Sequence, residues 1–417
     1  MGVPMTESPT PTGPLAGVLV LDLSRVLAGP WSTQVLADLG AEVIKVERPG
    51  AGDDTRAWGP PFTTTTDGKP SDAAYYFAAN RNKRSITVDM AKPEGNALLR
   101  DLAAKADVVV ENFKTGGLAK YHLDYPSLQA VNPRLVYCSI TGFGHDGPHA
   151  HSAGYDYMIQ AMGGLMSITG NPEGHPGGEP MKVGVAVADL FTGMYASSAI
   201  LAALLHARQT GQGQCIDMAL FDVQAAMLAN IATNYFVSGE VPARMGNAHP
   251  NLVPYQPFST ADGAIVIAVG NDGQFHALTK VLGDAGLADD PRFVGNANRV
   301  RNRIALVPLL TAHTVTRTTR EWMDLLEPAG VPCGPINTVD KVFEEPQAKF
   351  RGLVVEQARA DLAAPVKTVA SPFRLSETPV SYRRAPPALG ADTDAVLGEL
   401  LGLDAARIAE LRARGVV

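Results

Sequence analysis

The sequence predicts an α/β fold built on an open, mostly parallel sheet. Three observations carry this. Short apolar runs rich in β-branched residues alternate with helical segments through the first half of the chain. Residues 17–47 spell out one βαβ unit: GVLVLDL reads as a strand, 32–39 as a helix stopped by Gly40, and AEVIKVE as a second strand. Such a unit implies a parallel pair with a right-handed crossover. The strand runs also end in polar or Gly/Pro-rich loops, and ligands of open α/β sheets sit beyond the carboxyl ends of the strands.

In order, a turn at 24–31 holds Gly29 and Pro30 ahead of the first helix. No G-x-G-x-x-G follows the first strand, so the dinucleotide fingerprint is missing. A long loop fills 50–71, and NRNKRS reads as a basic loop before a strand at 85–89. Residues 93–106 read as a helix, 107–111 as a strand, 125–130 as a short helix and 135–140 as a strand. Residues 183–188 read as a buried strand and 190–206 as a buried helix, apolar on every face. Residues 215–236 read as one long apolar helix. The expected organisation is a large domain from 14–215 with 342–417, a small α+β domain at 242–338, and a disordered tail at 1–13. The loops at 24–30, 48–50, 112–117 and 141–147 are expected to converge with Asp189 on one crevice.

A chain of 417 residues suffices for about two domains. Its 46% hydrophobic content allows a large core, and a net charge of −7 argues against a nucleic-acid partner. Cys138, Cys215 and Cys333 are scattered, which fits a reducing compartment rather than a disulfide framework. No basic segment followed by an apolar one opens the sequence, so no secretory signal is expected. The helix at 190–206 begins at an acid and is rich in Gly, Ala and Ser, so it suits a core better than a bilayer. A cytoplasmic protein without a membrane partner is expected.

Asp189 is the one carboxylate on the apolar stretch 183–206. At a strand-to-helix junction, helix N–H groups and the dipole would keep it ionised. It is then either a nucleophile or only a helix N-cap. Arg48, Lys83, Arg84, Lys114 and Lys120 either contact phosphates or are solvated surface charges. His145, His149 and His151 share one loop without further metal-ligand spacing, so no metal site is expected. Asp156, in GYDY, reads as a cap of the following helix.

The stretches LSRVLAGPW, GAEVIKVERPGAGDDTR, NRNKRSITVD, VENF, NPRLVYCSITGFG, AGYDYMIQAMGGLMSITG and VADLFTGMYASSAILAALLHARQTGQGQ together resemble the class III (CaiB/BaiF) CoA-transferases, from about residue 15 onward. The resemblance implies a Rossmann-like large domain, a smaller domain and an interlocked homodimer. It implies that Asp189 is the nucleophile. It implies CoA contacts at Val26, Leu27, Ala28, Arg48, Lys83, Arg84, Asn112, Phe113 and Lys120. It also implies acyl-CoA and carboxylic acid substrates, with no cofactor beyond CoA itself. Racemases of the family carry a histidine where this chain has Tyr155, and a phenol with pKa near 10 suits α-proton exchange poorly. GNAHPNLVPYQPF and the 47–62 loop are most similar to transferases acting between succinyl-CoA and glutarate or hydroxymethylglutarate. Tyr155, Asn247 and His249 are the candidate contacts for the acid substrate. A racemase-like enzyme and a non-catalytic CoA-binding protein are the alternatives.

Overall fold

The computed structural model describes residues 12–417. Residues 1–11 of the expected tail lie outside the described residues. The chain forms two compact units. One comprises the residues up to Leu165, Val183–Ala232 and Lys349–Val417; the other comprises Met166–Lys182 and Thr233–Ala348.

In the first unit, β1 (Leu19–Asp22), β2 (Glu42–Glu47), β3 (Lys83–Thr87), β4 (Val108–Glu111), β5 (Val136–Thr141) and β6 (Cys215–Ala219) form one sheet in the order β3-β2-β1-β4-β5-β6. Every pairing is parallel. This order reverses direction between β1 and β4, the switch point where doubly wound sheets open a crevice. Successive side chains of a strand face opposite ways, and both faces are filled. Val20, Val43, Val108, Val136 and Cys138 pack under α1 (Ala28–Asp38) and α4 (Val187–Thr210). Leu21, Ile44, Ile86, Val109 and Tyr137 pack under α2 (Pro93–Lys105). The second face is completed by Val396, Leu397, Ile408 and Leu411 of the helices Thr393–Leu401 and Ala405–Ala413. Each of these fully buried aliphatic side chains contributes about 1.5–3 kcal/mol.

Helix α4 is long and apolar enough to cross a membrane by length and composition. Its stripe of Ala188, Thr192, Gly193, Ala196, Ile200, Ala203 and Ala207 is buried in this unit. The approach to α1 is close: a Cβ on Gly193 would sit 2.7 Å from the Ala28 carbonyl oxygen. The helix is not buried all round, however. Phe191, Tyr195, Leu201 and Leu205 are exposed on the single chain.

Several sequence expectations change. No strand forms over 183–188: Val183 N donates to the Gln160 side chain, and helix α4 already begins at Val187. The expected helix at 215–236 begins instead as strand β6, then becomes α5 (Leu220–Met227) and the helix Ala229–Ser238. A short apolar run does not distinguish strand from helix, and Ala229, at φ 42°, breaks the helix that follows. Lys83 and Arg84 lie in β3, not in a loop before it.

The second unit is built on the antiparallel strands Tyr255–Ser259, Ala264–Ala268 and Cys333–Pro335. Phe258, Ile265, Ile267, Phe275, Phe293 and Trp322 form its core. Residues 166–182, expected in the large domain, belong to this unit, where Arg244 donates to the Gly178 carbonyl oxygen at 2.7 and 3.0 Å.

Candidate active site

A cleft of about 510 Å³ opens beyond the carboxyl ends of β1, β4 and β5. Its wall includes Val26, Leu27 and Ala28 after β1, and Asn112, Phe113, Lys114 and Lys120 after β4. Tyr155, Asp156 and Asp189 complete it. A second cleft of about 430 Å³ holds Arg48 and shares Arg25, Met90, Phe113 and Tyr121 with the first. The loops after β1, β4 and β5 thus converge with Asp189 on the first cleft, whereas Arg48 lines the second cleft and not the single crevice expected for all of these loops.

Asp189 does not cap α4. The cap residue is Ala186, and Asp189 lies within the first helical turn, partly buried. Nor is the group held ionised down to low pH. Burial, and then the neighbouring Asp156 carboxylate, push its pKa up to about 7. A group poised near neutrality on a rigid helix suits a nucleophile that is ionised in use and little solvated.

The capping role falls to Asp156, the first residue of α3 (Asp156–Met162). Its Oδ1 accepts from Ala188 N at 2.8 Å and from Asp189 N at 3.3 Å. Gln160 Nε2 donates to its Oδ2 at 2.7 Å, and Gln160 Oε1 accepts from Val183 N at 2.9 Å. One buried carboxamide thus locks the acid that satisfies the helix carrying the nucleophile. Sequence reasoning missed this role because the spacing from Asp156 to Ala188 carries no local signal. It also missed Tyr75, whose pKa is raised by burial and then by the carboxylates of Asp189 and Asp156. Tyr155 is 67% exposed at the cleft mouth.

The loop after β1 is held from all sides. Val26 has φ 70°, a left-handed conformation that is rare for a β-branched residue. Asn112 Oδ1 accepts from Arg25 N at 2.8 Å, and its Nδ2 donates to Arg25 O at 2.7 Å. Asp53 Oδ1 accepts from Val26 N at 3.3 Å. Lys45 Nζ donates to Ser24 O at 3.0 Å and to Asp53 Oδ2 at 2.8 Å. The following helix α1 has no side-chain cap, so its first-turn N–H groups carry no capping oxygen.

Two expected phosphate ligands are not in either cleft. Lys83 is fully buried, and its ammonium donates to Asp22, Asn80 and the Pro30 carbonyl at 2.9–3.0 Å. With three donors spent, it braces the loop instead. Burial holds its pKa down to about 8 against the attraction of Asp22. Arg84 points away from the clefts, to Glu399 Oε2 at 2.7 Å, and ties the helix Thr393–Leu401 to β3. Arg48, by contrast, is exposed on its cleft wall.

Asn247 and His249 belong to the second unit. His249 Nδ1 accepts from Asn251 N and Leu252 N at 3.0 and 3.1 Å, and its ring packs on Tyr255. That nitrogen is occupied in shaping its own loop. The three loop histidines diverge: His145 N donates to Asp217, His149 packs on Phe143, and His151 is exposed.

The family model for CoA-transferase family III matches residues 15–393. The chain is 53% identical over 396 residues to the succinate–glutarate CoA-transferase of Agrobacterium fabrum, covering 95% of this chain and 98% of the relative. It is 45% identical over 404 residues to the human succinyl-CoA:glutarate CoA-transferase, covering 97% of this chain and 90% of the relative. Among solved structures, a CaiB/BaiF family protein from Brucella suis superposes with TM-score 0.82 at 52% identity, over 93% of this chain and all of the other. With a carboxylate poised near neutrality on a strand-end cleft and the family match spanning nearly its whole length, the chain belongs to the class III CoA-transferases.

Proposed function

We propose that the protein moves CoA from a dicarboxylyl-CoA, succinyl-CoA being the favoured donor, to a second organic acid of the glutarate class. The observation that carries this is Asp189: a partly buried carboxylate, with pKa about 7, on the wall of the cleft. The activities for which the Agrobacterium and human relatives are named support the substrate class.

A carboxylate oxygen of Asp189 attacks the donor thioester carbonyl. The C–S bond breaks, leaving a mixed anhydride and CoA thiolate. The thiolate attacks the Asp189 carbonyl, succinate departs, and an aspartyl-CoA thioester remains. The acceptor carboxylate attacks that thioester and again expels the thiolate. Attack of the thiolate on the acceptor's carbonyl releases the new acyl-CoA and regenerates Asp189. Every bond change is an acyl exchange, so the sequence balances without a redox group or metal, and CoA is a substrate. CoA would lie along the two adjoining clefts, with Arg48 toward its phosphates and Val26–Ala28 toward its thioester end. The enzyme works as an interlocked homodimer, which would cover the exposed apolar side chains of α4. Its three unpaired cysteines fit a cytoplasmic setting.

The decisive experiment incubates the protein with succinyl-CoA alone and traps with hydroxylamine, followed by intact mass. An adduct at Asp189, lost in Asp189→Ala together with turnover, is expected. A variant that retained turnover would remove Asp189 from the mechanism. Arg48→Ala should raise KM for both acyl-CoAs with little change in kcat, the pattern of lost uniform binding; an unchanged KM would sink its phosphate role.

A further inference from the structure

We propose that Asn112 is a positioning residue: by pairing with both backbone groups of Arg25, its carboxamide holds Val26 in the left-handed conformation that sets Val26, Leu27 and Ala28 on the wall of the acyl-CoA cleft. The inference rests on the acyl-CoA reading of that cleft, and it reassigns Asn112 from a ligand contact to a clamp.

Val26 carries the strain. A β-branched side chain at φ 70° crowds its own backbone, and such a residue persists only where its surroundings over-determine it. The surroundings here do so. Backbone hydrogen-bonding groups from Ser24 to Val26 are taken by side chains from three other segments. Lys45 of β2 takes Ser24 O, Asn112 after β4 takes Arg25 N and Arg25 O, and Asp53 takes Val26 N. The Asn112 contact is two-pronged, at 2.7 and 2.8 Å, and fixes the peptide planes on both sides of Arg25. Asp53 cannot substitute for it. Its Oδ1 is shared with Thr55 N and Thr55 Oγ1 and reaches Val26 N only at 3.3 Å.

One N–H and one oxygen lone pair of the Asn112 carboxamide are engaged by Arg25, and together they fix the orientation of the group. The residue instead couples the loops after β1 and β4, the two strands that flank the switch point. Without it, Val26 is free to relax to negative φ, and Leu27 and Ala28 at the uncapped start of α1 turn with it.

A double-mutant cycle between Asn112 and Val26 tests this. Asn112→Ala should weaken CoA binding and raise KM for succinyl-CoA about tenfold, with kcat changed less than about twofold. Glycine adopts positive φ at no steric cost, so Val26→Gly relieves the strain the clamp opposes. The double variant should therefore bind CoA like Val26→Gly alone. An Asn112→Ala loss that persisted undiminished in the Val26→Gly background would overturn the proposal and make Asn112 a direct ligand contact; so would an Asn112→Ala variant with unchanged affinity. Should Asn112→Ala not fold, Asn112→Asp keeps the acceptor for Arg25 N and loses the donor to Arg25 O. Its smaller loss is likewise expected to vanish in the Val26→Gly background, and persistence again overturns the clamp. CoA affinity is read by calorimetry without turnover. Wild-type protein that binds CoA but transfers none would therefore sink the transferase reading while leaving the clamp test intact.

Discussion

At the residue scale, two neighbouring carboxylates decide how the site responds to pH. Asp189 titrates near 7 because it is buried and because Asp156 stands beside it. The nucleophile must be ionised, so kcat/KM should fall on the acid side with an apparent pKa near 7. Asp156→Asn removes the second cause and should move this limb to lower pH, less than fully because burial remains; an unmoved limb would mean that Asp156 does not act on Asp189 through its charge. The same shift is a stability statement. Folding raises the Asp189 pKa from 3.8 to about 7, so the stability contributed by the neutral form is full below 3.8 and is lost as pH rises through 7. Asp189→Asn should thus raise Tm by roughly 2–4 °C near pH 8 and by nothing near pH 4. A gain that is equal at both pH values would point to packing rather than charge.

At the element scale, the active site depends on backbone pressed against backbone. Gly142, immediately after β5, and Gly154, immediately before the Tyr155–Asp156 start of α3, leave no room for a Cβ on either. That closeness brings Asp156 within reach of the first turn of α4. Gly154→Ala should force the two loops apart, cost about 1–3 kcal/mol of stability, and lower kcat/KM about tenfold or more as Asp156 leaves the Ala188 and Asp189 N–H groups. Wild-type kinetics and stability in that variant would show that the loops can separate without moving Asp156. The buried lysines belong to the same scale. Lys45 and Lys83 spend their charge on Asp53 and Asp22, so the strand-end loops rest on internal ion pairs and not on ligand.

At the scale of the whole molecule, the single chain leaves apolar side chains in water. Phe191, Tyr195 and Leu205 of α4 are exposed, and Phe236 and Val237 are 78% and 84% exposed. An interface between copies of the chain would take such side chains out of water. If the chains interlock, no folded monomer exists and the apparent stability follows protein concentration. Sedimentation on dilution should show no folded 44.0 kDa species, and the unfolding midpoint should rise with concentration. A stable, active 44.0 kDa species would rule the interlocked dimer out.

What the sequence by itself determined was local and periodic. Runs such as LVLD, EVIKVE and VYCSIT are legible as strands because buried parallel strands are apolar on both faces. The loops at their carboxyl ends are legible as the ligand side, and Asp189 stood out because an acid on so apolar a stretch needs a reason. Only the tertiary structure decided where polar side chains point. Lys83 and Arg84 look like a phosphate patch in the sequence; β3 directs one into an ion pair with Asp22 and the other toward Glu399, because consecutive strand residues face opposite sides of a sheet. The strand at 215–219 was hidden inside an apolar run, since its pairing partner, β5, lies far away in sequence. Asp156 and Asn112 gained their roles from partners 32 and 87 residues away. Hydrogen bonds of that reach depend on the packing of whole elements, and no local pattern in the chain encodes them.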